Sequence, residues 1–416
     1  MIKNLVRRCP VCGSDAGEVL HTQSFAAVAE IGNSDSVDIV SCATCGVAFS
    51  DIPMQQEDLD TVYRDHSKYA DTSMYQGDGP DGALPPDAPW DLERLEGTAD
   101  YLSGVIGDRT MRVLDAGCAT GSLLGFLSAR GFGNLVGLDP SPIASAAARR
   151  LHAVDAIAGS FITPPADIGK FGLVVLSHVL EHLGDVTAAV RSMSDLLEPG
   201  GLVYLEVPNA VRYVDHLVAP FHDFNTEHIN HFSAATLRRL MASHGFSEVD
   251  SGEKVVMCSP TFTYPALYGL WRHGGNASVM QASAAPDTLL TAALRCYVEQ
   301  SHELMQRIND GLRERIDVAR PVVLWGAGQL SLKLLSDSVL SELPIAAIVD
   351  SSPQKQGLHV GDRVVEPPSA VKDPAACIVI ASIHHEDAIE RTIRVEMGLP
   401  NRIVKLAGFL RPLRNR

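Results

Sequence analysis

No apolar stretch in this 416-residue chain approaches the ~20 residues that a helix needs to cross a bilayer. The opening "MIKNLVRRCP" lacks the apolar run of a secretory signal. Positive charge is scarce: 34 Lys and Arg stand against 50 Asp and Glu, a formal net charge of −16. Polyanion and membrane-surface binders need the opposite sign, so neither nucleic acid nor membrane is an expected partner. The basic terminus "RPLRNR" reads as a solvated tail. Cysteine is sparse, eight in all, and four of the eight form two tight pairs near the start. These absences predict a cytoplasmic protein, in whose reducing surroundings paired cysteines mean metal and not disulfides.

What is present is a folded chain. Hydrophobic residues make up 46% and charged residues 20%, as in globular proteins. The length exceeds one ordinary core and fits two or three domains. The first segment, residues 1–75, is dominated by its cysteines. "GDGPDGALPPDAP", residues 77–89, reads as a linker or surface loop. Residues 90–285 alternate strand-like runs ("RVLDAG", "LVGLD", "FGLVVLS", "GLVYLEVP") with helical stretches, which predicts an α/β domain with a parallel sheet. In residues 286–320, Leu294, Tyr297, Ser301, Leu304, Ile308, Leu312 and Ile316 recur at spacings of three and four, one face of a long helix. Residues 321–416 begin a second strand-turn-helix pattern, so the chain holds two Rossmann-like starts. Its oligomeric state is not legible.

Cys9-Pro-Val-Cys12-Gly and Cys42-Ala-Thr-Cys45-Gly form two C-x2-C knuckles. Four thiolates satisfy a tetrahedral zinc ion and leave no open position, so a structural site is expected at Cys9, Cys12, Cys42 and Cys45. The following glycines permit the tight turns that bring backbone amides toward sulfur. The scattered Cys118, Cys258, Cys296 and Cys377 read as buried small residues.

"VLDAGCATGSLLGFL" sets Asp115, Gly117, Cys118 and Gly121 between a strand and a helix, where bare backbone and free amides can meet a ligand. Asp139, ending the next strand, is placed to accept two ribose hydroxyls. The bland alternative for both acids is helix capping or surface charge. D-x-G-x-x-x-G lacks the dinucleotide spacing and resembles motif I of the class I S-adenosylmethionine (SAM) methyltransferases. "LVVLSHVLEHLGD" and "LLEPGGLVYLEVPN" resemble later strands and turns of that family. The resemblance implies SAM as cofactor and puts His178 near it. The family's acid that contacts adenine is missing; "AGSFIT" offers Ser160 and the ring of Phe161 in its place.

The second start, "VVLWGAGQLSLKLL", gives Gly326-x-Gly328-x-x-Ser331, with Asp350 ending the next strand. With its third glycine gone, this domain either keeps the fold without a cofactor or binds part of a substrate such as a nucleotide. His384 and His385 read as surface residues.

"FNTEHINHFS", residues 224–233, carries Glu227, His228 and His231. The whole layout, four cysteines, a SAM domain, a long helix and a second Rossmann-like domain, resembles the three-domain bacterial sugar C-methyltransferases that act on nucleotide-linked deoxysugars. Glu227, His228, Phe232 and Ser233 match a stretch of that family whose histidine is the proposed base. His182 matches another family histidine. Asn225 stands where the family has tyrosine, and Ile229, Asn230 and His231 depart from its aromatic and apolar pattern. The resemblance implies C-methylation of a nucleotide-linked ketosugar through an enolate, with His228 as base, Glu227 orienting or binding acceptor, and His182 in reserve. O- or N-methylation of a sugar, glycan or natural product is the alternative; a non-catalytic SAM-binding scaffold is a second. His178 and His182 also suit an ordinary helix start, His231 a structural role and His244 an exposed one. "HVLEH" spaces its histidines as a zincin helix does, but its glutamate adjoins the second histidine, which counts against a metallohydrolase.

Overall fold

The computed structural model describes residues 2–28, 36–53, 56–65, 88–259, 262–274 and 285–410. Residues 77–87 of the expected linker and the basic tail lie outside the described residues. The chain divides into two units. The first comprises Met1–Glu18, Val40–Arg212 and Glu227–Ala292, the second Val19–Ile39, Tyr213–Thr226 and Ala293–Arg416. Among the described residues, no helix is long and apolar enough to cross a membrane.

Strands β1 (Ile2–Asn4), β2 (Ala16–Ser24), β3 (Ser36–Cys42) and β4 (Ala48–Ser50) lie in one sheet in that order, and β10 (Asn230–His231) pairs antiparallel with β4 at its edge. Helix α1 (Gln56–Asp65) follows β4 in the chain.

The large sheet of the first unit begins after helix α2 (Pro89–Val105). It contains β5 (Arg112–Ala116), β6 (Asn134–Asp139), β7 (Asp155–Ala158), β8 (Phe171–Ser177), β9 (Leu197–Pro208), β11 (Phe246–Ser259) and β12 (Phe262–His273). Their order is β11-β12-β9-β8-β5-β6-β7, with β12 antiparallel to both neighbours and the inner pairs parallel. The parallel strands read as continuous apolar runs because helices cover both faces: six of the seven residues of β8 are buried. Helices α3 (Ser122–Ala129), α4 (Pro142–His152), α5 (Val186–Leu196) and α6 (Ala234–Ser243) connect or flank the strands. Leu123, Leu124 and Leu127 of α3 pack with Val113, Leu173 and Val175 of the sheet. Ser141 caps α4, with Pro142 in its first turn. Ser233 and Thr236 form a capping box on α6. The ends of β5, β6, β8 and β9 open on one crevice edge, where ligands bind in such sheets.

In the second unit, α7 (Thr288–Arg315) continues from Ala293. All seven residues of its expected apolar face are buried. Strands β13 (Val322–Trp325), β14 (Ile345–Val349), β15 (His359–Val360), β16 (Arg363–Glu366), β17 (Cys377–Ile380) and β18 (Ile403–Lys405) are ordered β15-β16-β14-β13-β17-β18. All their pairings are parallel except β15 with β16. Helices α8 (Gln329–Asp337) and α9 (Glu386–Arg391) belong to this unit. Ser331, in place of the third glycine, donates back to the carbonyl of Gly326. Asp350 accepts from the amides of Ala327 and Ser352 and pairs with Lys355. His385 is exposed and His384 half-buried.

Two expectations fail, one for a pair of cysteines and one for His244, which was expected to be exposed. Cys118 and Cys377 are buried, but Cys258 and Cys296 are exposed. Cys258 lies on β11, a strand at the sheet edge. Cys296 falls between the core-facing Leu294 and Tyr297 on the outer side of α7. His244 is half-buried, and its Nδ1 lies 2.9 Å from the carbonyl of Leu240 at the end of α6.

Candidate active site

The loop after β5 is shaped by close approach. Gly117 has φ +79°, and a Cβ there would lie 2.5 Å from Cγ2 of Val179. Ala119, with φ +46°, adopts a conformation rare for a residue with a side chain. Asp139 holds it: one carboxylate oxygen accepts from the amide of Ala119 at 2.9 Å, the other from Ser141 at 2.8 Å. Each oxygen keeps lone-pair capacity for a further donor. Burial raises the Asp139 carboxyl to about 6. Burial, and next the charge of Asp139, raise Asp115 to about 7. Gly121 packs against Ala148. Cys118 turns its sulfur into the core beside Gly137. Phe161 is buried, and half-buried Ser160 accepts from the amide of Ile162.

His178 follows β8 with φ +57°, its amide bonded to the carbonyl of Glu206. Its ring bridges two fully buried carboxylates, Nδ1 to Glu181 and Nε2 to Glu206, both at 3.2 Å. Burial opposes the charge on His178, but the hydrogen bonds to Glu181 and Glu206 outweigh it and raise the ring above its ordinary range. Burial would likewise push Glu206 up. The hydrogen bond and charge of His178, then Lys254 and Arg94, hold it well below the usual carboxylate range. Tyr204 and Thr98 also donate to Glu206. A cleft of ≈ 290 Å³ adjoins this group, lined among others by Trp90, Arg94, Tyr101, Tyr204, Lys254 and Tyr268.

His182 and His228 come together, with ring centroids 4.9 Å apart, edge to face. His182 Nδ1 lies 2.7 Å from the Tyr63 hydroxyl and 3.0 Å from the carbonyl of Glu227. His228 Nδ1 lies 3.5 Å from the hydroxyl of Tyr264. Glu227 itself is exposed while His228 is half-buried, the opposite facing expected of neighbours in extended chain. His231 is fully buried on β10, and burial lowers it to about 3, so it is neutral.

A joint fixes the two histidine-bearing segments. Asn230 Nδ2 donates to the carbonyls of Leu180, Glu181 and Leu183. The Arg7 guanidinium reaches Asn230 Oδ1 and the carbonyls of Leu183, Gly184 and Ile229. The Arg7 amide donates to Asp51, which also pairs with Lys3.

Two residues beyond Arg7 the cysteines converge. The Cys9–Cys45 and Cys12–Cys42 sulfurs are each 3.5 Å apart, and all four lie within 4.8 Å of one another. A tetrahedral zinc with ~2.3 Å bonds needs sulfurs roughly 3.8 Å apart, so the set fits. Gly13 and Gly46 take positive φ and bond back to the carbonyls of Cys9 and Cys42. The amide of Thr44 points at Cys42 sulfur.

Residues 92–251 match a family model described as a methyltransferase domain, a span that includes Asp115, Asp139 and His178. This span has the α/β class I SAM methyltransferase fold. A probable S-adenosylmethionine-dependent methyltransferase of Mycolicibacterium smegmatis is 30% identical over 143 residues, which cover 33% of this chain and 53% of that protein. The ubiquinone biosynthesis O-methyltransferase of Neisseria meningitidis is 29% identical over 117 residues, 26% of this chain and 49% of that protein. The chain thus spans about half the length of the curated relatives it matches. Among solved structures, magnesium protoporphyrin IX methyltransferase of Synechocystis with bound SAH aligns at 17% identity and TM-score 0.39, over 52% of this chain and 99% of that one.

Several polar groups were not foreseen from sequence: Arg94, Glu181, Glu206 and Asn230 within the matched span, and Arg7, Tyr63, Lys254 and Tyr264 outside it. Glu206 had a readable signal, a lone carboxylate inside the otherwise apolar run "GLVYLEVP". The others meet only through the fold.

Proposed function

We propose that the protein transfers the methyl group of SAM to a small-molecule acceptor, a nucleotide-linked ketosugar, in the cytoplasm. The observation that carries this reading is the His182–His228 pair, beside the turn whose Val179 contacts Gly117 in the glycine loop. Bound SAM supplies a methyl group already activated by its sulfonium. The chain's task is to align an acceptor and help it lose a proton. His228 is the proposed activating residue, with His182 held beside it by Tyr63 and the Glu227 carbonyl. Glu227, exposed, serves acceptor binding. Asp115 and Asp139 are proposed to face the cofactor with Gly117, Gly121, Ser160, Phe161 and His178, and Cys118 supports the loop from behind. The four cysteines are proposed to hold structural zinc. The second unit is proposed to hold no redox cofactor; NAD(P)-dependent turnover would overturn that.

The deciding experiment is product NMR after incubation with SAM and a panel of nucleotide sugars. A new C–CH3 group supports the reading. An O–CH3 product supports O-methylation, the activity named for the ubiquinone relatives. No product with any sugar removes the sugar acceptor.

The cofactor side can be tested by calorimetry. Asp115 and Asp139 are raised to about 7 and about 6 in the free protein. A bound cation favours their charged forms, so SAM binding should release protons between pH 6 and 7, and affinity should rise with pH across that window. Binding heats in buffers of different ionisation enthalpy read this directly; identical heats would exclude both acids from the site. Asp139→Ala should weaken SAM by about 1.5–3 kcal/mol, the scale of hydrogen bonds to a charged group.

A further inference from the structure

We propose that Glu181, His182 and His228 bind a divalent transition-metal cation, a site separate from the four cysteines. One ligand atom from each of the three lies within 4.8 Å of the others. His182 Nε2 and Glu181 Oε1 face each other at 3.8 Å.

Hydrogen bonding makes this arrangement a cation site and not a chance cluster. The Glu227 carbonyl 3.0 Å from His182 Nδ1 can only accept, and the Tyr63 hydroxyl 2.7 Å away can accept as well, an arrangement that suits a proton on Nδ1. The neutral ring then presents the Nε2 lone pair toward a carboxylate. Glu181 Oε1 also meets His178 Nδ1 at 3.2 Å, so a cation beside His182 Nε2 would share that oxygen or bind through Oε2. Imidazoles that ligate metals are oriented in the same way, the far nitrogen donating to a backbone carbonyl. The carboxylate gives the second, independent sign. Glu181 is fully buried, and its Oε2 has no hydrogen-bond partner among the described residues. Buried carboxylate oxygens are expensive unless a donor or a cation meets them. The supports are rigid. Asn230 ties the Glu181–His182 turn to the segment after His228, and the Ile229 amide bonds to the Glu181 carbonyl.

Two imidazoles and one carboxylate suit Mn²⁺, Fe²⁺, Co²⁺ or Zn²⁺ with positions left open. Both histidines are partly exposed, so those positions face an accessible space. Resting on the methyl-transfer reading, the open positions would take an acceptor oxygen. With the ketosugar's carbonyl oxygen there, a C–H bond on the adjacent carbon breaks, the proton passes to solvent, and the electron pair spreads as an enolate onto the oxygen beside the cation. His228 then acts as a ligand rather than a free base.

The test titrates Mn²⁺ into the full chain with its cysteine-bound metal left in place, following free Mn²⁺ by electron paramagnetic resonance. Mn²⁺ prefers nitrogen and oxygen donors and competes poorly for thiolates. One Mn²⁺ per chain is expected. Glu181→Gln and His228→Ala should each weaken it by about tenfold or more, with zinc content unchanged and, for His228→Ala, SAM affinity unchanged as well. His228 is half-buried, so its variant remains informative if Glu181→Gln fails to fold. No stoichiometric binding of Mn²⁺ or Co²⁺, or binding indifferent to His228→Ala, overturns the site. Full turnover in metal-depleted protein that keeps its zinc overturns it while sparing the methyl-transfer reading. Mn²⁺ binding without methylation of any acceptor overturns the methyl-transfer reading and leaves the cation site standing.

Discussion

His228→Ala should lower methyl transfer by about 10²-fold or more, the scale of losing a group that acts on the acceptor's proton, while SAM affinity and folding change little. The side chain is half-buried and meets His182 on one side and Tyr264 on the other. The turns around it are held by Asn230 and the Ile229 amide, which the substitution leaves in place. α6 keeps its own cap at Ser233. Nothing in the glycine loop depends on this ring, so calorimetric SAM binding should match the parent chain. Single-turnover kinetics with the native acceptor measures the effect. Near-normal turnover would make the 224–233 stretch architecture and move acceptor activation elsewhere.

Cys42→Ser should abolish metal binding at the four-cysteine site and lower the melting temperature. Apparent binding energies of structural zinc sites run to roughly 10–16 kcal/mol, and that energy is folding energy. Cys42 is buried, ends β3 and receives the Thr44 amide on its sulfur, so serine cannot replace it. The loss should also reach the chemistry. Arg7 is two residues from Cys9, and its guanidinium braces the turns that carry His182 and His228. Methyl transfer should therefore fall even where SAM still binds. Elemental analysis, thermal melting and turnover on one preparation check this. Full zinc content in the variant would remove Cys42 from the ligands, and full turnover without zinc would disconnect the cysteine segment from the reaction.

The parts of this molecule that were legible in the sequence are local in chain. Asp115, Gly117 and Gly121 sit within one turn, and "VLDAGCATG" announces them. Six positions of α7, from Leu294 to Leu312, and Ile316 just after it obey one period, and all seven are buried. Ser233 caps α6 because the capping box lies within four residues. The cysteine pairs declare themselves by spacing. What stayed hidden depends on partners far along the chain. Arg7 looks like one more basic residue in "LVRRCP" until residues 183–184 and 229–230 close on it. His178 looks like a helix start until two buried carboxylates flank it. Cys258 and Cys296 misled because residue type alone says nothing of which face an edge strand or a helix turns outward.

The Arg7 joint also sets an order of events in folding. It closes a separation of 223 residues to Asn230, and such a loop costs about 5 kcal/mol in chain entropy before its contacts repay it. The glycine loop proposed to face SAM needs only neighbouring strands, β5, β6 and β8. On refolding from denaturant, SAM binding should therefore return before catalytic competence, with an interval in which the protein holds its cofactor but has not yet aligned its histidines.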